Sequence, residues 1–234
     1  MTDSHRRDEL AARLTAVRER ISAACEAAGR KPEDVTLVAV TKTFPASDVR
    51  LLNGLGVTDF GENRDAEAAP KAAQCADLRL SWHFIGQLQT NKAASVARYA
   101  TFVHSVDRLR LVHALGAAAR RAERAIECLI EVSLDADPAR GGALASDVSG
   151  LAEALTAEEG LILAGVMAIA PLGMPPAEAF AKLLDSAAVV RAVRPAATVI
   201  SAGMSGDLEA AIAAGATHVR IGTALLGDRG PRVR

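Results

Sequence analysis

Short apolar runs alternate with alanine-rich amphipathic stretches along nearly the whole chain, and this alternation predicts the fold class. Leu10, Leu14, Val17 and Ile21 recur at steps of three and four, the spacing of one helix face, and Gly29 with Pro32 supplies a stop. After this N-terminal helix come eight β-rich runs, at 36–42, 59–63, 82–86, 102–107, 128–134, 162–169, 198–202 and 218–223. Between them, 46–55, 91–99, 109–124, 147–155, 176–193 and 207–214 have the length and propensity of crossover helices. Eight strands with helical returns predict a single (β/α)8 barrel, the TIM-barrel architecture, with an extra N-terminal helix. The rival is a doubly wound open sheet, but no G-x-G-x-x-G follows the first strand. The expectation is one domain over 1–234, with a mobile tail at 228–234 rich in Gly, Pro and Arg.

Composition narrows the class of protein. Half of the 234 residues are apolar, enough to bury one large core, and the formal net charge is −1. Arg120, Arg121 and Arg124 recur at helical spacing and read as a solvated helix face, so no nucleic-acid partner is expected. Cys25, Cys75 and Cys128 show no C-x-x-C spacing, which argues against a disulfide framework or a zinc site and for a reducing, cytoplasmic setting. The charged N-terminus lacks a signal core, and the most apolar stretch, 161–170, falls short of the roughly 20 residues of a membrane span.

Barrel sites are built at the C-terminal ends of strands, so the polar residues there are the candidates. Lys42 shares a strand face with Val38 and Val40; lining the barrel, it becomes a desolvated amine able to condense with an aldehyde, whereas facing water it merely ends the strand. The segment from Ser201 through Met204 and Ser205 to Asp207, with Gly222 and Thr223, suits a phosphate seat of backbone N–H groups and hydroxyls; the bland alternative is a turn with Ser205 or Asp207 capping a helix. Arg220 alternates with Val219 and Ile221 and so points inward if they face helices, where it needs either a ligand nitrogen or a carboxylate. His83 reads as a hydrogen-bonded core residue, and Glu62 and Asp107 as buried partners that orient loops. Gln87, Gln89, Asn91 and Lys92 read as rim or helix-capping residues. The residues by themselves therefore describe a barrel for a phosphorylated aldehyde.

The run Trp82-His83-Phe84-Ile85-Gly86-Gln87-Leu88-Gln89-Thr90-Asn91-Lys92 is highly specific. With Ala39-Val40-Thr41-Lys42, Gly61-Glu62-Asn63, His104-Ser105-Val106-Asp107, Gly203-Met204-Ser205-Gly206-Asp207 and Val219-Arg220-Ile221-Gly222-Thr223, it resembles the pyridoxal phosphate homeostasis protein family. The resemblance implies a barrel akin to the N-terminal domain of alanine racemase that binds pyridoxal 5′-phosphate (PLP) and serves vitamin B6 and amino-acid balance without an established reaction. It implies Lys42 as the Schiff-base lysine, Arg220 at the pyridine nitrogen, Ser205, Gly222 and Thr223 at the phosphate, and Asn63, Ser201 and Met204 around the ring. Phe44, Arg64 and Ala202 depart from the family pattern at the rim, and Arg140 stands in a loop, 135–142, where the family tends to carry a lysine.

The expected partners are PLP itself and PLP-requiring apo-enzymes as acceptors, with no membrane, and a monomeric state. An arginine at the pyridine nitrogen, donor-only and permanently charged, favours an unprotonated ring and hence a poorer electron sink than a carboxylate would. Two-base racemisation also needs a second acid/base opposite the lysine, which no chain after the eighth strand is expected to supply. A carrier or regulator is therefore expected, the alternatives being a racemase-like PLP enzyme and an aldolase-like barrel in which Lys42 attacks a sugar-phosphate carbonyl.

Overall fold

The computed structural model describes residues 3–137 and 140–227, so the tail at 228–234 lies outside the described residues. All eight expected strands form: β1 (Thr36–Val40), β2 (Asp59–Glu62), β3 (Ser81–Phe84), β4 (Phe102–Val106), β5 (Ile126–Glu131), β6 (Leu161–Met167), β7 (Val199–Ser201) and β8 (His218–Ile221). They pair in parallel, in chain order, and close when β8 pairs back to β1 with Val38 beside Arg220. The open-sheet alternative is thereby excluded. The strands are shorter at their C-terminal ends than the β-rich runs, because residues such as Lys42, Asn63 and Ala202 already belong to the loops of the barrel mouth.

The N-terminal helix α1 (Asp3–Ala27) buries the stripe Leu10, Leu14, Val17 and Ile21 and ends where Gly29 takes a φ of 65°. It packs with α2 (Ala46–Gly54) and the outer faces of β1, β2 and β8 in one apolar cluster that includes Phe60, Trp82, Val219 and Ile221. Removing each of the larger side chains from water contributes roughly 1.5–3 kcal/mol. Around the barrel follow α3 (Asp65–Gln74), α4 (Ala93–Val96), α5 (Leu109–Arg121), α6 (Val148–Ala157), α7 (Pro176–Val193), α8 (Leu208–Ala213) and α9 (Thr223–Leu226). A second cluster joins α5, α6 and α7 to β4, β5 and β6.

Three of these returns differ from the expected ones. The helix α3 had no counterpart among the expected crossovers, and α9 begins where the last β-rich run was expected to finish. The helix expected at 91–99 is a 3-10 turn, Thr90–Lys92, followed by the single turn of α4. Gln89 holds the N-cap position of that turn but makes no side-chain cap bond, so the expected capping is absent there. Arg120 pairs with Glu158, while Arg121 donates to the Ala117 carbonyl and Arg124 to the Ala97 carbonyl, which makes this basic cluster a set of helix-end ties.

The inside of the barrel is only thinly apolar. Leu129, Ala164 and Met167, with Phe102 and Val199, form a small cluster of their own. Beside it lie buried His83, His104, Ser201 and Arg220.

Candidate functional site

The first strand delivers Lys42 to the mouth through a segment pinned from outside. Beneath α3, Lys71 Nζ donates to the Thr41 carbonyl at 2.8 Å and pairs with Glu62, whose Oε1 also accepts from the Thr41 hydroxyl at 2.6 Å. Both carbonyl and hydroxyl of the residue before Lys42 are thus fixed. On the other side, Thr43 N–H donates to Glu67 Oε2 at 3.0 Å with φ at 70°, a left-handed conformation that costs a β-branched residue on the order of 1–2 kcal/mol. Lys42 itself is half-buried. Glu62 therefore has the loop-orienting role expected of it. Its carboxyl is pushed up by burial, against the downward pull of Lys71.

Arg220 extends into the barrel as expected, 3 % exposed, while Val219 and Ile221 face the helices. Its guanidinium bonds to no carboxylate among the described residues: Nη1 donates to the Ser201 carbonyl at 2.8 Å and to Ser201 Oγ at 2.7 Å, and Nη2 donates to the Ala168 carbonyl at 2.9 Å. Burial lowers its pKa to about 10, so it stays cationic at neutral pH. Beneath it, His104 bridges Ser201 Oγ at 3.0 Å and His83 at 2.9 Å, and His83 reaches Asp59 Oδ1 at 3.0 Å. His83 is the hydrogen-bonded core residue expected, but its carboxylate partner lies on the neighbouring strand, 24 positions away, where local sequence gives no sign of it.

The two loops expected to seat a phosphate meet each other. Ser205 Oγ accepts from Ala224 N–H at 3.2 Å, and Arg220 N–H donates to the Gly203 carbonyl at 2.9 Å. Asp207 occupies the N-cap position of α8 but turns its carboxylate back to Met204 N–H at 2.6 Å, so neither Ser205 nor Asp207 caps that helix through its side chain. Gly203 has φ 89°, and a Cβ there would lie 2.6 Å from the Ala211 Cβ, so only glycine permits this close turn. Arg20 of α1 donates to the Ser205 carbonyl at 3.0 Å and binds Glu209, bracing the loop from outside.

The remaining candidates spread around this mouth. Asn63, just past β2, packs against Gly86, where a Cβ would sit 2.7 Å from its Oδ1. Met204 is 38 % exposed and Thr223 is exposed, whereas Ser201 is fully buried with its hydroxyl committed to His104 and Arg220. Gly222 lies beside β1: a Cβ on it would come 3.6 Å from that of Val40. Of the rim departures, Phe44 lies under the Arg6 guanidinium, 5.7 Å from its ring centre, Arg64 is exposed at the N-cap of α3, and Ala202 is buried. Arg140 binds Asp135 at 3.1 Å and the Ile169 carbonyl at 3.0 Å. Sequence reasoning missed Lys71, Glu67 and Asp59; their signal lies only in strand register and in the position of α3.

A parallel barrel with a lysine just beyond its first strand and an inward arginine on its last defines an α/β barrel of the alanine racemase N-terminal kind, and the sequence profile of that domain matches residues 12–230. The alanine racemase of Corynebacterium glutamicum shares the fold, with a TM-score of 0.65 at 18 % identity over 91 % of this chain and 60 % of that one. PipY of Synechococcus elongatus, in its structure with PLP bound, superposes with a TM-score of 0.81 at 35 % identity, covering 93 % of this chain and 100 % of that one. The pyridoxal phosphate homeostasis protein of Mycobacterium tuberculosis is 45 % identical over 96 % of this chain and 94 % of its own length. That of Escherichia coli is 37 % identical over 95 % and 97 %. The chain belongs to the pyridoxal phosphate homeostasis protein family.

Proposed function

We propose that the barrel mouth binds PLP and that the protein takes part in intracellular PLP and amino-acid homeostasis as a carrier or regulator. The observation that carries this reading is the buried Arg220 guanidinium, held by carbonyls and one hydroxyl, beneath two loops that bond to each other. The donor set fits the group: a half-buried amine, hydroxyls at Ser205 and Thr223, the cradle at Gly222, and a cation inside the barrel. When bound, PLP supplies an aldehyde that joins a primary amine as a Schiff base, an anionic phosphate, and a pyridine ring able to accept electrons.

Lys42 is the amine, with Thr41 and Thr43 clamped on either side so that its stem leaves the strand in one direction. Ser205, Gly222 and Thr223 hold the phosphate. Asn63 and Met204 flank the ring, and Ser201 acts on it from below by holding Arg220. Arg220 offers hydrogens only, so it favours an unprotonated ring nitrogen and weakens the electron sink. That chemistry suits storage and delivery to PLP-requiring apo-enzymes more than turnover. Among the described residues no helix is long and apolar enough to cross a membrane, and a cytoplasmic, monomeric, single-domain carrier is the setting proposed.

Borohydride reduction of PLP-loaded protein followed by peptide mass spectrometry should place the pyridoxyl group on Lys42. An adduct found solely on another lysine overturns the assignment. Lys42→Ala should abolish the Schiff-base absorbance while phosphate-anchored binding survives, and α-proton exchange of amino acids in deuterated water should not exceed that of free PLP.

A further inference from the structure

The hydrogen bonds on the barrel floor can be given directions, one link at a time. Arg220 Nη1 must donate to Ser201 Oγ, since a guanidinium has no acceptor. His104 is fully buried, and burial together with His83, Arg220 and His218 lowers its pKa well below the ordinary value, so it is neutral. If its Nδ1 carried the hydrogen, the buried Ser201 hydroxyl would accept twice and its own hydrogen would lose this acceptor, at a cost of about 1–3 kcal/mol. Nδ1 therefore accepts from Ser201, and the His104 hydrogen sits on Nε2. That hydrogen points at His83 Nδ1, which must accept, leaving the His83 hydrogen on Nε2 and aimed at Asp59 Oδ1. Asp59 is the acceptor-only end: burial would raise its pKa, but the bonds from His83 and Thr58 bring it below the ordinary value.

The arrangement is also held geometrically. His83 stacks on Phe102 with 4.5 Å between ring centres and 2° between planes, which fixes the plane in which its two nitrogens face Asp59 and His104. The other ionisable groups on this floor are His218 on β8 and Glu127 on β5; His218 is lowered to about 4 by burial and adds no cation. Nearer the mouth, Glu131 and Asp207 act on Arg220 at a distance.

We propose that Arg220, Ser201, His104, His83 and Asp59 form one hydrogen-bond file polarised from guanidinium to carboxylate, in which Ser201, His104 and His83 are positioning residues that keep Arg220 aimed at the ligand. A carboxylate placed directly on Arg220 would occupy the N–H groups that a ligand nitrogen needs. Set at the far end of three neutral links, Asp59 accepts the last hydrogen of the file without contacting the guanidinium. The ligand's identity rests on the PLP reading above, whereas the order of hydrogens along the file is a property of the protein alone.

Two measurements test this separately. Long-range proton–nitrogen correlation spectra of the ligand-free protein near neutral pH should show His104 and His83 as neutral Nε2–H tautomers. A hydrogen on Nδ1 of His104, or a doubly protonated ring at either position, overturns the file. His104→Leu should then weaken PLP binding severalfold, up to roughly tenfold, the expected loss for one hydrogen bond between neutral groups, and shift the His83 nitrogen signals. Unchanged affinity in a folded His104→Leu protein refutes the positioning role; if that variant does not fold, His83→Gln is held to the same criterion. Failure of the wild-type protein to bind PLP would remove the PLP reading and leave the tautomer result standing.

Discussion

Glu131 ends β5 at the rim of a cavity of about 220 Å³ lined also by Ser133, Asp135 and Arg140. Burial, and then the neighbouring Asp107, raise its pKa to about 7 against the opposing pull of Arg220 and Arg140. The folded protein therefore holds this proton more tightly than the unfolded chain does. The stability it contributes is fully present below the ordinary carboxyl value of 4.5 and is lost as pH rises through about 7. In ligand-free protein, wild type should lose on the order of 2–3 kcal/mol relative to Glu131→Gln between pH 5 and pH 8, as read by urea melts across that range. A difference between the two proteins that stays constant with pH would contradict the assignment. Nothing in the local sequence marks Glu131, because its environment comes from β4, β8 and the 135–142 loop. The inward face of Arg220 was easier to read, since strand alternation with Val219 and Ile221 gives it directly, whereas Lys42 lies in the loop beyond β1.

At the scale of elements, α3 holds the loop that carries Lys42, yet the sequence hides it. Pro70 inside the helix removes one intrahelical bond and breaks the helical pattern on which the other returns were recognised. The helix survives because Pro70 is exposed and the buried side, Ala68, Lys71 and Ala72, packs on the barrel. Its charged residues set the loop: Lys71 reaches Glu62 and the Thr41 carbonyl, and Glu67 takes Thr43 N–H. Lys71→Met leaves Glu62 buried and unpaired, with an expected loss of about 3–5 kcal/mol in urea unfolding. Pairing it with Glu62→Leu should recover most of that loss but leave amide exchange at Thr43 faster than in wild type, because the tie to the Thr41 carbonyl is still missing. A double variant less stable than the single one would show that the ion pair is not what Lys71 supplies. The apolar strands and the α1 stripe, by contrast, were legible because their periodicity is their function: each buries one face.

For the whole molecule, the seam between β7 and β8 is the most thinly laddered part of the closed sheet, and it lies beneath the loops proposed to take the phosphate. The strand β7 has three residues and its register with β8 rests on Ser201 beside His218, whereas β5 and β6 pair along their length. Side chains supplement the short ladder: Thr217 Oγ1 accepts from Ile200 N–H at 2.9 Å, and Arg220 ties β8 to Ser201 and to Ala168 beyond β6. From outside, α1 and the turn after it span the same region, with Arg6 of α1 donating to the Leu226 carbonyl, Arg20 to the Ser205 carbonyl, and Arg30, just past the helix, to the Ile212 and Ala216 carbonyls. An eightfold alternation in sequence predicts that a barrel closes but not which seam is weakest, since that depends on ladder length and cross-strand side chains. Under the proposed reading, a phosphate held by the loops after β7 and β8 would bridge this seam, so binding energy would be directed to the part of the barrel with the fewest ladder bonds. Hydrogen–deuterium exchange with and without PLP should therefore slow most at Ile200, Ala202 and Arg220, and little at Leu129 and Val166 in the β5–β6 ladder. Uniform slowing over all eight strands would mean that the ligand stabilises the barrel only globally, and protection confined to β1 would place the grip at Lys42 instead of across the seam.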